Sequence, residues 1–377
     1  MLLSDFEILR PPYETDQQSS LEWLLKAHTE AEKQKEHPDL PEFCKTLSEK
    51  LWRVACKPNR IEKRGHILAD YLHTNWDQME IYRLTKAPSG ENLSVRSERF
   101  ANYVDTVFEK YYPEGSSPPD DLIHVTCTGY VAPSGAQKLA SRRAWGHLIT
   151  ITHAYHMGCY ASIPAIRMAS GFLAQDLSKK TADIVHTEIC SLHMNPAEHQ
   201  TDQLISQSLF ADGFIKYTLQ REIEKPHLKL LSIEEEIIPN STKAMTWNVV
   251  DWGFKMTLAK EIPVLIARAL SAFVERLAKK ANIPLETLLK SALFAVHPGG
   301  PQILLHVQKV LNLGDAQLEK SFKILKMFGN MSSATLPHIW ESILKDSTTP
   351  NHTLIVSLAF GPGLSVTGSI MEKLCGS

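Results

Sequence analysis

From Asp121 onward, apolar runs of strand length alternate with helical patterns, and this alternation constrains the fold more than any other feature of the chain. Asp121 to Cys127 (DLIHVTC) is an uninterrupted buried-strand run, and AWGHLITIT places a strand near Leu148 to Thr152. Cys159 to Lys180 carries Ile166, Ala169, Leu173 and Leu177 on one helical face, and Thr181 to Cys190 returns to a strand pattern. A short helix is expected over Leu204 to Gly213, and a strongly apolar one over Leu258 to Ala278. Beyond it come a strand at Leu293 to Val296, helices at Gln302 to Leu313, Leu318 to Phe328 and Thr335 to Lys345, and strands at Thr353 to Phe360 and Leu364 to Ser369. Such an alternation predicts α/β layers. The first third reads as mainly helical after a short strand at Phe6 to Leu9, with a helix over Arg99 to Tyr112. The charge-dense stretch Leu21 to Lys50 reads as a solvated amphipathic helix pair. Around Lys225 to Ile238 the pattern weakens and becomes acidic, which divides the chain into halves, 1–228 and 229–377. Each half carries a strand that delivers a polar residue to a loop.

A chain of 377 residues can bury a large core, and its 43% hydrophobic and 22% charged residues exclude a disordered or collagen-like polymer. A net charge of −2 gives no basic field for bulk nucleic-acid binding. The N-terminus lacks the basic and apolar regions of a signal peptide, and no uninterrupted apolar run reaches the ~18 residues of a membrane span. The expectation is a cytoplasmic protein with reduced thiols. Six cysteines without a CxxC pair fit neither a disulfide scaffold nor a zinc ribbon, and His153 and His156 have no acidic partner pattern, so no metal is expected. What remains is a cysteine used as a lone nucleophile.

Cys159 is the candidate. It follows Gly158 at a strand-to-helix turn in THAYHMGCYASIPAI, with Pro164 early in the helix, where a missing N–H does least harm. The positive end of a helix dipole there favours a thiolate, the nucleophilic form. From this segment alone, a nucleophile and a small buried apolar residue fit equally well. Two later loops supply partners: His297 in FAVHPGGP, after an apolar strand, and Asn330 in FGNMSSA, before a helix. Cys, His and Asn together are the groups needed to form and use a thioester.

At these three places the sequence resembles the chalcone synthase-like type III polyketide synthases of the thiolase superfamily. HMGCYA resembles the family's nucleophile segment, HPGGPQIL its histidine segment and GNMSSA its asparagine segment, with Ser332 beside the pocket. SLFADG resembles the loop of the gatekeeper phenylalanine, here Phe210. FGPGL, with Gly361, Pro362 and Gly363, resembles the cyclisation-pocket loop. The motifs keep the family's order from about Leu122 to the C-terminus. The resemblance implies a five-layer αβαβα thiolase fold of two pseudo-two-fold related halves, in a homodimer. It also implies a Cys159–His297–Asn330 triad that condenses an acyl thioester with a malonyl thioester such as malonyl-CoA. No cofactor is implied beyond the coenzyme A or phosphopantetheine that carries the substrate.

Departures from the family bear on the product. Met256 stands at the second gatekeeper, usually phenylalanine; Leu192 stands where many members have threonine; Trp247 falls near a position often held by glycine. Larger groups there shrink the elongation cavity, which points to few condensations and a short polyketide or α-pyrone. Pro133 replaces a methionine that reaches the partner's pocket, and Ala359 replaces the first glycine of the cyclisation loop. Lys50, Arg53 and Lys57 share one helical face and match the spacing of the family's trio for coenzyme A phosphates, with Arg60, Lys63 and Arg64 extending the patch. Such a patch also suits the acidic helix of an acyl carrier protein, so a ketosynthase that joins two carrier-bound β-keto chains is the alternative within the fold. Outside the condensing reaction, a cysteine-dependent thioester hydrolase uses the same Cys and His.

Overall fold

The computed structural model describes residues 1–376. The chain opens with β1 (Leu2–Leu9), β2 (Tyr13–Asp16), α1 (Gln17–Gln34), α2 (Leu40–Val54), β3 (Lys63–His66) and α3 (Leu93–Tyr111). A compact series follows: β4 (Asp121–Thr126), α4 (Gly135–Arg142), β5 (Thr150–Tyr155), α5 (Ser162–Gln175), β6 (Thr181–Glu188), α6 (Thr201–Leu209), β7 (Gly213–Gln220) and β8 (His227–Ile237). A hairpin, β9 (Met245–Val250) and β10 (Gly253–Leu258), leads to α7 (Ile262–Lys280), α8 (Leu285–Ser291) and β11 (Leu293–Val296). The end is α9 (Pro301–Leu311), α10 (Asp315–Phe328), α11 (Thr335–Lys345), β12 (Leu354–Gly361) and β13 (Ser365–Leu374).

Nine strands form one hydrogen-bonded sheet in the order β11-β12-β13-β8-β1-β7-β6-β4-β5. Parallel pairs lie at its two ends, β4 with β5 and β6 on one side and β11 with β12 on the other. The two sides meet at a narrow seam, where β1 and β8 share only the pairs Leu2–Lys229 and Leu3–Leu228. Strand alternation then partitions the core. Leu122 and Val185 point to a cluster with Phe100, Val104 and Phe108 of α3 and Leu139 of α4. Their neighbours Ile123 and Ile184 point the other way, to Ile166 and Leu173 of α5 and Ile339 and Trp340 of α11. The same middle cluster takes Ala295, Ile355 and Met371 from the far side of the sheet. That far side turns Phe294, Val356 and Ile370 outward onto α7, α9 and α10. The sheet is therefore folded at its seam around α5 and α11, and the layers run helix, sheet, helix, sheet, helix.

Three departures from the sequence reading have plain physical causes. Of the pair expected to be solvated, α2 buries only Leu47 and Leu51, but α1 is largely buried: it starts at an Asp16 cap, whose side chain accepts from Ser19 N at 2.9 Å, and buries Leu21, Trp23, Leu24, Ala27 and Ala31. Charge at the intervening positions hid that stripe. The acidic stretch from Lys225 to Ile238 is not irregular but forms β8, paired along ten residues with β13. Its three glutamates, Glu234, Glu235 and Glu236, pair with Lys280, Arg167 and Arg276. The fully buried β7 and the small β9–β10 hairpin have no alternating signal that marks them as strands. Among the described residues, no helix is long and apolar enough to cross a membrane.

Candidate active site

Three chain segments converge where the two sides of the sheet meet the middle helices. The first is the turn between β5 and α5. Gly158 sits at φ +82°, and a side chain there would come within 2.8 Å of Pro362 Cδ. Only glycine therefore allows the turn to close against the Phe360–Leu364 loop. That loop is positioned by the same packing, since a Cβ on Gly361 would lie 2.2 Å from the Tyr160 ring. Cys159 follows, buried, three residues before α5 begins.

The second segment is the end of β11. His297 N donates to Leu358 O of β12 at 2.7 Å, so the sheet itself fixes the residue. Its imidazole is 1% exposed and neither ring nitrogen has a protein partner. A buried polar atom without a partner costs roughly 1–3 kcal/mol, a cost tolerated where a ligand supplies the partner.

The third segment is the end of α10. Gly329 terminates the helix at φ +72°, and a Cβ there would press within 3.0 Å of both Arg64 Cγ and Leu209 O. Asn330 is then held by its backbone, donating to Leu209 O at 3.0 Å and accepting from Ala211 N at 2.8 Å. Its side-chain Oδ1 accepts from Ser332 N at 2.9 Å, which leaves Nδ2 as the free donor. Phe210 lies between those two backbone contacts and forms a bridge with Asn330. Phe210 and Asn330 are thus held as one unit by the backbone.

Cys159, His297 and Asn330 line one cavity of about 370 Å³, walled by Phe210, Met256 and the apolar start of α7. Cys159, Phe210 and Met256 also line a second, narrower cavity of about 60 Å³, with Cys127, Cys190, Trp247 and Ser332. Met256 and Trp247 are cross-strand partners in the β9–β10 hairpin, which sets both into the narrow cavity from one element. Trp247 Nε1 donates to Cys127 O at 2.6 Å, and its ring packs edge-on to Phe254 at 5.8 Å. Ser332 adopts φ +49°, a strained left-handed conformation that sets its Oγ 3.0 Å from Cys127 Sγ and 3.7 Å from Cys159 Sγ.

Burial sets the protonation state. It pushes the Cys159 thiol up to about 12, outweighing hydrogen bonding from Ser332 and Asn330, which acts the other way. Burial also holds His297 down to about 3. At neutral pH the pair rests as thiol and neutral imidazole. Burial thus opposes the thiolate that the helix terminus favours.

Other residues singled out in the sequence fall elsewhere. Leu192 is wholly buried in the cluster under α3; Cys190, His193 and Met194 line the narrow cavity instead. Gly361 and Pro362 pack against the Gly158–Tyr160 turn, Gly363 against Ser365, and none of the three lines either cavity; Phe360 lines the wide one. Lys50, Arg53 and Lys57 line neither cavity, and Lys50 Nζ donates to His199 O at 2.6 Å. Lys57 sits 5.4 Å over the Trp52 ring. The lysine on the lining of the wide cavity is Lys260, just before α7. Arg64 is buried rather than part of a surface patch. Ala359 is in the middle core, and Pro133 lies exposed before α4. Nothing in the sequence marks Arg64, Cys127 or Cys190 as cavity residues; contacts that place Arg64 and Cys127 join segments 61 to 205 positions apart.

Comparison with known proteins agrees with this architecture. Residues 229–375 match the family described as chalcone and stilbene synthases, C-terminal domain. Over 258 residues, 67% of the chain, the sequence is 30% identical to "Probable polyketide synthase 1" of Dictyostelium discoideum, and it spans 8% of that protein's length. The C-terminal type III polyketide synthase domain of Steely1, a type I/III hybrid from Dictyostelium, superposes with a TM-score of 0.81 at 22% identity, covering 99% of each chain. PKS-I from the brown alga Ectocarpus siliculosus superposes with a TM-score of 0.82 at 20% identity, covering 98% of this chain and 97% of that one. Residues 229–375 thus match the C-terminal domain of the chalcone and stilbene synthases, and over its described length the chain has the fold of type III polyketide synthase domains.

Proposed function

We propose that the chain is a condensing acyltransferase that joins an acyl thioester to a malonyl thioester with loss of CO2. The observation that carries this reading is a buried thiol, an imidazole with two free nitrogens and an oriented amide lining one cavity. The wide cavity takes the pantetheine arm of the carrier, with Lys260 on its lining as a contact for phosphate.

In the first step His297, neutral at rest, accepts the Cys159 proton as the sulfur attacks the acyl carbon. The new S–C bond forms, the carrier's C–S bond breaks, and the carrier thiolate takes the proton from the imidazole. The malonyl thioester enters next. Its C–C bond to the carboxylate breaks, CO2 leaves, and the electron pair remains as an enolate. The charge on the enolate oxygen is met by an N–H of His297 and by Asn330 Nδ2. Carbon then attacks the acyl group, and Cys159 departs as thiolate, ready for the next transfer. Phe210, fixed to Asn330, keeps water from these intermediates.

The narrow cavity receives the growing chain. Its size, with Trp247 and Met256 set into it from one hairpin, supports few extensions and release as a short polyketide or α-pyrone. The active form is a homodimer, for which the exposed Tyr130 and Leu148 flank the edge strand β5. Intact-protein mass spectrometry with an acyl-CoA tests the first step. The native chain gains one acyl group and Cys159→Ala gains none; normal acylation of Cys159→Ala contradicts the assignment.

A further inference from the structure

Arg64 is a buried cation with an unused donor beside the nucleophile's cavity. The side chain is 7% exposed. Three hydrogen bonds hold it: Nε donates to Gln17 Oε1 at 2.9 Å, and Nη1 donates to Gln207 O and Phe210 O, each at 2.8 Å. Gln17 is itself pinned, its Nε2 donating to Cys56 O and Ser208 O at 2.7 Å. No protein atom accepts from Nη2, and no carboxylate lies within 4 Å, among the described residues. Asp212 is the acid that acts on it, from further away. That carboxyl is already used, accepting from Ile67 N and Ser191 N at 2.8 Å and from Ser191 Oγ at 2.6 Å. Burial also raises it to about 7, so it is an incomplete counter-charge.

A guanidinium in this setting keeps its charge at neutral pH, and a buried charge without a partner is expensive. Arg64 lines the narrow cavity together with Cys159. His66 lines it too, with Nδ1 bonded to Leu68 O at 2.7 Å and Nε2 without a partner. The planar fork, held on one side by three bonds, presents its remaining edge in a fixed direction. A wholly apolar acyl group leaves that edge unpaired, whereas an anionic oxygen completes it.

We propose that Arg64 Nη2 receives an anionic oxygen of the acyl chain stored on Cys159: either a carboxylate at the chain's far end or the enolate oxygen of a chain already extended. The inference rests on Cys159 being the acyl-bearing nucleophile. Because Nη1 of the same group holds Phe210 O, occupancy of Nη2 also stiffens the wall between the two cavities.

The test uses the full chain as native protein, Arg64→Met and Arg64→Lys, each checked for a native melting transition. One arm compares the rate of Cys159 acylation by glutaryl-CoA and by pentanoyl-CoA, which have equal carbon number and differ in the terminal carboxylate. The other arm counts malonyl extensions on pentanoyl-CoA by mass spectrometry. A carboxylate source predicts that the glutaryl-to-pentanoyl ratio falls at least tenfold in Arg64→Met and recovers in part in Arg64→Lys. An enolate source predicts an unchanged ratio and a loss of the most extended product in Arg64→Met, again partly restored by lysine. If both ratio and extension number stay as in the native protein, the inference is overturned. Failure of pentanoyl-CoA to acylate the native Cys159 overturns the nucleophile and this inference together. Should Arg64→Met not fold, the native protein still decides. Glutarate or 2,4-pentanedione then protects Cys159 from iodoacetamide better than neutral pentan-2-one does, and equal protection by all three overturns the proposal.

Discussion

The two cavities that meet at Cys159 share that thiol and two apolar walls and differ in almost everything else. The wide one holds His297 and Asn330 against apolar side chains of α6, α7 and α9. The narrow one holds no triad partner; its wall is Cys127, Cys190, Ser332, Trp247 and the buried Arg64. Phe210 and Met256 are common walls. On the proposed function, reaction and product are set by separate residues and should fail separately.

Removing the shared atom has the largest effect: Cys159→Ala should lower turnover at least ~10⁴-fold, read as CO2 release from malonyl-CoA in the presence of an acyl-CoA. Damage confined to the wide side comes next. Asn330→Ala or His297→Gln should cost about 10²–10³-fold in kcat for condensation, the scale of one lost oxyanion donor, while single-turnover acylation suffers less in Asn330→Ala. Equal losses in both steps would break the division of labour. On the narrow side, Trp247→Gly should leave CO2 release within ~tenfold of native and shift the product mass upward by one or more two-carbon units. An unchanged product with slowed chemistry would join the two cavities again. At the entrance, Lys260→Ala should raise KM for coenzyme A thioesters severalfold, more than the combined replacement of Lys50, Arg53 and Lys57.

Acid titrates the core as a whole. His28, His124, His186, His193, His297 and His338 are held down to about 3 by burial, and His66 to about 4. Each stays neutral in the fold, whereas the unfolded chain takes up a proton below about 6.5. The unfolded state therefore binds more protons, and stability falls as pH drops from about 6.5 towards 3. Melting temperature measured from pH 7.5 to 5 should be flat at first and then decline; a rise on acidification contradicts the neutral core.

Much of this was legible in the sequence because it is local. Cys159, His297 and Asn330 each follow a strand or helix end and abut a glycine turn or a small-residue cap, and such junctions leave a short motif. The middle helix α5 and strand β11 carried their own periodicity. What stayed hidden is non-local. Arg64 looks like one more residue of a basic run until Gln17, Gln207 and Phe210 close around it. Cys127 and Cys190, two of five cysteines without assigned chemistry, share a cavity with Cys159 only after β4, β6 and α5 assemble. Leu192 is misplaced by one position: its neighbour His193 stacks on Phe254 at 4.4 Å and faces the cavity, and one residue of slip in an irregular segment exchanges wall for core. The helix terminus beside Cys159 is a local feature and readable, whereas the burial that opposes a thiolate there is a property of the whole fold.

The most direct test of the account is to follow CO2 and the mass of Cys159 together after mixing the native chain with an acyl-CoA and malonyl-CoA. Acyl-Cys159 should form first, then one CO2 for each two-carbon unit added, with both signals absent in Cys159→Ala. Acylation followed by free acid alone, without CO2, would contradict it and leave a thioester hydrolase in its place.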